Sequence, residues 1–232
     1  MPIAIVYAGH PKYLDIAEEV ISMVQNSEES KAFGLCFARI VEIYLLAESP
    51  FPLNIRSVVD KLVMTLCDPL RPHPTTFDPD VITCLQRATS CLDTPYVEFQ
   101  KLVGQGCGAD MCLSGMIHTL ARFPSDFSGA IRSLLTGGGD MVSRCALTGA
   151  LIGCTLATLE GSTHAWPCEW QEKTLLAAEY QQTVEGLVAL RREIHLTSPP
   201  HAVSASLSSS ATAGAAAGSL PIGAAGLWEV IE

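Results

Sequence analysis

Asp140 is the residue whose type and neighbours could do chemistry. Three glycines, Gly137, Gly138 and Gly139, lead into it, and Ser143 and Arg144 follow within about one helical turn. Small and apolar residues then run on to Leu159 (Ala146, Gly149, Ala150, Gly153, Cys154 and Ala157 among Leu147, Leu151, Ile152 and Leu156), so Asp140 falls at the start of a helix. The N–H groups left unpaired at a helix start bind anions. A carboxylate there can also hold a hard cation such as Mg²⁺ through oxygen. The same residues have a plainer use, with Asp140 as an N-cap accepting the N–H of Val142 or Ser143 and the glycines making the turn. Both uses stay open at this point.

Other chemistry-bearing residues are weaker candidates. His118 lies inside an apolar stripe and reads as a core-edge residue rather than a base. Cys107 and Cys112 stand near it in sequence, with no oriented partner legible for a nucleophile. Asp93 and Asp110 read as helix-terminal residues rather than an acid and base pair. Trp166 and Trp170 flank Pro167 and read as anchors for the loop that follows the Asp140 helix. Nine cysteines, none in a CxxC pair, read as reduced, mostly buried thiols and supply no zinc-ligand spacing.

The elements that must position these groups are helical. Leu14, Ala17, Val20, Ile21 and Val24 form one stripe, and Ile55, Val58, Val59, Leu62, Val63 and Leu66 form another. Between them, residues 28–47 carry a broad apolar face of Ala32, Leu35, Cys36, Ile40, Ile43 and Leu46. Residues 80–92, a short segment around 97–103, and residues 110–122 and 126–135 read as further helices, the last capped by Ser125 or Asp126. Only Ile3 to Tyr7 reads as a strand, with nothing to pair with. The fold class is all-α, with the small-residue helix from Cys145 to Leu159 as its buried axis.

Composition narrows the function. Of 232 residues 16% are charged, below the roughly 25% usual in soluble domains, and the net charge is −10. That charge repels nucleic acid and anionic membranes. The first residues lack the basic flank of a secretory signal, and the 15 uncharged residues 145–159 fall short of a membrane span, so the expected compartment is the cytoplasm. Residues 1–195 form the expected domain. Residues 196–232 form a low-complexity tail: from Thr197 to Gly226 no residue is charged and 25 of the 30 are Ala, Ser, Gly, Thr or Pro, too little apolar pattern to offset ordering.

The block GGGDMVSRCALTGALIGC (137–154), with WPCEW (166–170), resembles the ADP-ribosylglycohydrolase family, in particular its branch with a GGD-x-x-SR motif that includes J1 crystallin-like proteins. Residues 4–42 and 106–140 agree with it in order. The resemblance implies an orthogonal multi-helix bundle and two Mg²⁺ ions that help hydrolyse the glycosidic bond of an ADP-ribose-containing substrate. It places Asp140 and Ser143 on the metal, and Gly137, Gly138 and Gly139 near the ADP-ribose phosphates. Val142 stands where the family pattern has a second Asp, and a valine cannot ligate a metal. A GDALG-type acidic stretch would precede Met1, which reads as N-terminal truncation or an incomplete gene model. Weak or lost hydrolysis is therefore expected, with a non-catalytic crystallin-like or scaffold role as the alternative.

Overall fold

A computed structural model describes residues 1–47, 52–159 and 167–197. Its helices are α1 (Pro2–Tyr7), α2 (Tyr13–Val24), α3 (Glu28–Leu46), α4 (Ile55–Cys67), α5 (Asp78–Ser90), α6 (Tyr96–Val103), α7 (Ala109–Arg122), α8 (Phe127–Gly137), α9 (Met141–Thr158), α10 (Cys168–Glu172) and α11 (Ala177–Thr197). Among the described residues there is no strand, and the chain is all-α. Of the expected tail, 196–232, Leu196 and Thr197 end α11 and the rest lies outside the described residues.

The expected strand at Ile3 to Tyr7 is α1 instead. Pro2 sits at the first helical position, where its missing N–H costs nothing. Ile5 N–H then donates to Met1 O and Ala8 N–H to Ala4 O, at 3.1 and 3.0 Å. A lone strand would have left those groups unpaired; a short helix satisfies them internally and still buries Ala4 and Val6.

The stripes pack as their periodicity requires. Ile55, Val58, Val59 and Leu62 of α4 join Ala32, Phe33, Cys36, Ile40, Val41 and Tyr44 of α3 in one core. Side-chain caps start several helices: Ser27 accepts from Ser30 N–H, Asn54 from Arg56 and Ser57, and Asp126 from Gly129. The turn-rich stretch between α4 and α5 is tied down by the buried ion pair of Arg71 with Asp78, by Arg39 donating to Pro72 O at 3.1 Å, and by His73 between Asp15 and Glu18 of α2.

The buried axis is α7, not α9. Every residue from Cys112 to Leu120 is buried, and α3, α4, α5, α6, α8 and α9 all pack on α7. α9 buries one face, made of Arg144, Thr148, Gly149, Leu151, Ile152 and Thr155. Absence of charge misled here, because alanines, glycines and cysteines pay little to stand half-exposed and so do not report depth. By length and hydropathy α9 is the one helix among the described residues that could cross a membrane, and a third of it is buried.

Helix α11 is the last element of the described residues. It lies against α1, where Arg191 Nη1 donates to Ile5 O at 3.0 Å and Val6 O at 3.4 Å.

Candidate functional site

Two glycine-rich loops meet at the start of α9. One joins α6 to α7 (residues 104–108) and the other joins α8 to α9 (residues 138–140). Gly138 and Gly139 have φ of +69° and +73°, and Gly104 has +101°, conformations that other residues adopt only under strain. A Cβ on Gly139 would stand 2.8 Å from the carbonyl carbon of Gln105 and 3.0 Å from its Cα, so glycine is what lets the backbones touch. A Cβ on Gly137 would meet the Tyr96 ring 2.9 Å away at Cδ1.

Hydrogen bonds stitch the loops together. Gln105 Nε2 donates to Gly137 O at 2.9 Å. Arg144, fully buried at the first turn of α9, donates from Nη1 to Gly138 O at 2.9 Å and from Nη2 to Gly106 O at 3.0 Å. Gly139 O accepts from Met141 N–H at 2.9 Å. All three glycine carbonyls of the 137–139 run are therefore engaged within the protein.

Asp140 stands where the loops join. It is the N-cap of α9, with Oδ1 accepting from Ser143 N–H at 3.2 Å, so the capping role is realised through Ser143. Its other oxygen, Oδ2, accepts from Cys112 Sγ at 3.7 Å. Hydrogen bonds from Ser143, the side chain first and then the backbone N–H, hold the carboxyl below the usual carboxylate range, with smaller help from Cys112 and Arg144. Asp140 is thus a carboxylate at neutral pH. The Val142 side chain, in contrast, is 80% exposed and offers no donor.

The other sequence candidates fall away from this point. His118 is fully buried and stacked on Phe99, ring centroids 4.2 Å apart, and its Nε2 faces the carbonyls of Cys91 and Thr94 at 3.1 Å. Burial pushes its pKa down, so it is a neutral core residue that donates to a loop. Cys112 is buried and its thiol is pushed up, first by burial and then by the Asp140 charge, the opposite of an activated nucleophile. Cys107 is exposed on the first loop. Asp110 lies in the first turn of α7 and Asp93 is exposed in the turn after α5. Trp170 packs edge-on against Phe127 of α8, an anchoring contact, and Trp166 lies outside the described residues. Two residues tie the loops together, Arg144 and Gln105. Arg144 is the last residue of the GGD-x-x-SR block, whereas no motif or spacing marks Gln105.

Among the described residues, no three His, Cys, Asp or Glu side chains come together closely enough to hold a metal ion. Asp140 and Ser143 are the hard oxygen donors of the clasp itself. One carboxylate and one hydroxyl fall well short of the ligand set that Mg²⁺ requires.

The family model of ADP-ribosylglycohydrolase matches this chain over residues 1–173. No curated protein and no solved structure matches it. The match spans α1 to α10 and both glycine loops, and the chain belongs to the ADP-ribosylglycohydrolase family.

Proposed function

We propose that this chain is an ADP-ribosylglycohydrolase-like protein whose glycine clasp takes an ADP-ribose-containing ligand, with the family's Mg²⁺-dependent hydrolysis weak or lost. The observation that carries the reading is Asp140: an ionised carboxylate at the junction of two backbone-to-backbone glycine loops, at a helix N-terminus. In this reading Gly137, Gly138 and Gly139 face the phosphates, and Asp140 with Ser143 is what remains of the metal grip. A bound Mg²⁺ would supply Lewis-acid stabilisation of charge at the glycosidic bond. The residues present do not complete its coordination, so no step of hydrolysis is assigned to them.

One observation favours a second reading, a non-catalytic crystallin-like or scaffold protein. Val142 projects into solvent at the position where the family pattern has an acid, so the helix start that could have carried two carboxylates carries one. Neither reading calls on nucleic acid or a membrane, and both fit a cytoplasmic protein.

The test uses calorimetric titration with ADP-ribose, and release of ADP-ribose from a modified protein with and without Mg²⁺. Asp140→Asn is the control, because asparagine keeps the N-cap oxygen while removing the charge. The proposal expects ADP-ribose binding with little or no turnover. Mg²⁺-dependent release that Asp140→Asn abolishes would show that hydrolysis is retained, and failure of ADP-ribose to bind would leave the scaffold reading.

A further inference from the structure

We propose that Arg144 is the positioning residue of this site: a single buried guanidinium that fixes the 104–108 loop against the 137–140 loop, so that both loops and Asp140 move as one unit. The proposal rests on the glycine clasp as the ligand site, and deepens that reading. Arg144 is fully buried and forms no direct ion pair among the described residues. Burying a cation is costly, and several groups offset it: the nearby Asp140 charge, the Tyr96 and Cys112 side chains, and two backbone carbonyls. The carbonyls are what tie the loops together, Gly106 O and Gly138 O, from segments 38 and 6 residues away in sequence, each met by a different Nη.

The geometry calls for arginine. A planar fork holds two acceptors at a set separation, whereas a lysine ammonium is a point charge at the end of a flexible stem. The floor under Arg144 is shaped to match. Gly115 of α7 leaves room for its stem, since a Cβ there would stand 3.2 Å from Arg144 Cδ and 3.0 Å from the Tyr96 hydroxyl. On the outer side, Gln105 Nε2 adds a second strap from the first loop to Gly137 O. Asp140 lies between the carbonyl that Arg144 grips and the helix that carries Arg144, so its place depends on both.

The test is Arg144→Lys, which keeps charge and most of the side-chain volume, read by amide hydrogen exchange residue by residue. The proposal expects exchange at the bonded amides of both loops, Gly106 (to Met111 Sδ), Met141 (to Gly139 O) and Ser143 (to Asp140 Oδ1), to accelerate together by about tenfold, the scale of a lost charged hydrogen bond, with Leu113, Met116 and Ile117 of α7 unchanged. Unchanged loops, acceleration in one loop only, or acceleration spread equally through α7 would each overturn it; the last would make Arg144 a general core residue. Should the variant not fold, the wild-type guanidinium is read directly by side-chain ¹⁵N NMR. Separate, slowly exchanging Nη1 and Nη2 signals are expected, and a freely rotating guanidinium overturns the proposal. ADP-ribose titration of the wild type separates the two claims. If ADP-ribose does not bind, the ligand reading fails, while the exchange and NMR results still decide the role of Arg144.

Discussion

Replacing Gly139 with alanine is the sharpest challenge to the clasp, because Gly138 beside it is a built-in control. Both glycines have positive φ, +73° and +69°, and Gly138, with ψ −169°, lies in a region essentially confined to glycine, so an alanine is strained at about 1–3 kcal/mol. They differ in surroundings. A Cβ on Gly138 has Gln105 Nε2 as its nearest neighbour, at 3.7 Å, which is ordinary contact. A Cβ on Gly139 would overlap the Gln105 backbone, 2.8 Å from its carbonyl carbon and closer still to the oxygen, and a backbone cannot swing aside as a side-chain tip can. The loops would have to part. Parting them breaks the Gln105 to Gly137 bond and one arm of the Arg144 bridge, at about 1 kcal/mol each. Gly138→Ala should therefore cost the strain alone, about 1–3 kcal/mol, and Gly139→Ala about 2 kcal/mol more than Gly138→Ala. Urea denaturation with a common m-value measures the difference. Equal losses for the two variants would refute the reasoning, since they would mean that the backbone contact of the loops carries no energy.

Three further outcomes follow from the packing. His118 has its folded pKa pushed below the ordinary 6.5 by burial, so the unfolded chain takes up its proton first and stability falls as pH drops through about 6.5; His118→Gln should flatten that part of the stability profile between pH 7.5 and 5.5, and an unaltered profile would contradict it. Arg191→Ala removes the donor to Ile5 O and Val6 O, and should make α11 cleavable by trypsin at Arg192 while the core resists, at a cost of about 1–2 kcal/mol in denaturation. Gly115→Ala places a Cβ 3.0 Å from the Tyr96 hydroxyl and 3.2 Å from Arg144 Cδ, both held by neighbours, and should destabilise by about 1–3 kcal/mol where most helical glycine-to-alanine changes are favourable; a rise in Tm would show that the floor under Arg144 has slack.

Helix positions were legible in the sequence because most of the apolar stripes face one common core. The stripe of α4 is buried as read, from Ile55 to Leu62, and α3 buries Ala32, Leu35, Cys36 and Ile40 of its expected face, with Ile43 half-buried and Leu46 exposed at its end. The stripe of α2 is the exception in degree: Tyr13 and Ala17 are buried, while Val20 and Val24 are exposed at its far end, where periodicity continues past the edge of the core. The two misreadings share a cause. Ile3 to Tyr7 reads as β because five apolar and β-prone residues carry no period long enough to separate the alternatives, and a neighbouring helix, α11, decided for α. Likewise α9 reads as the axis because it lacks charge, while α7, with Asp110, His118 and Arg122 along it, is the element that is buried almost throughout. Local composition ranks segments by polarity; burial depends on how many neighbours surround them.

The site shows the same limit in a more instructive form. Asp140, Ser143 and the three glycines are local features, adjacent in sequence, and their geometry is what adjacency implies: a turn, a cap and a helix start. What turns that start into a site is the 104–108 loop, brought in from over 30 residues away by α7 and held by a side chain that hides its charge. No spacing rule announces such a contact, because Gly106 contributes only a carbonyl and any residue has one. The informative residue is instead the one that looks out of place. An arginine on the buried face of a small-residue helix is costly unless something repays it, and here the repayment is the union of two loops. On the proposed ligand reading, Arg144 serves the shape of the site, which binding would need whether or not hydrolysis takes place.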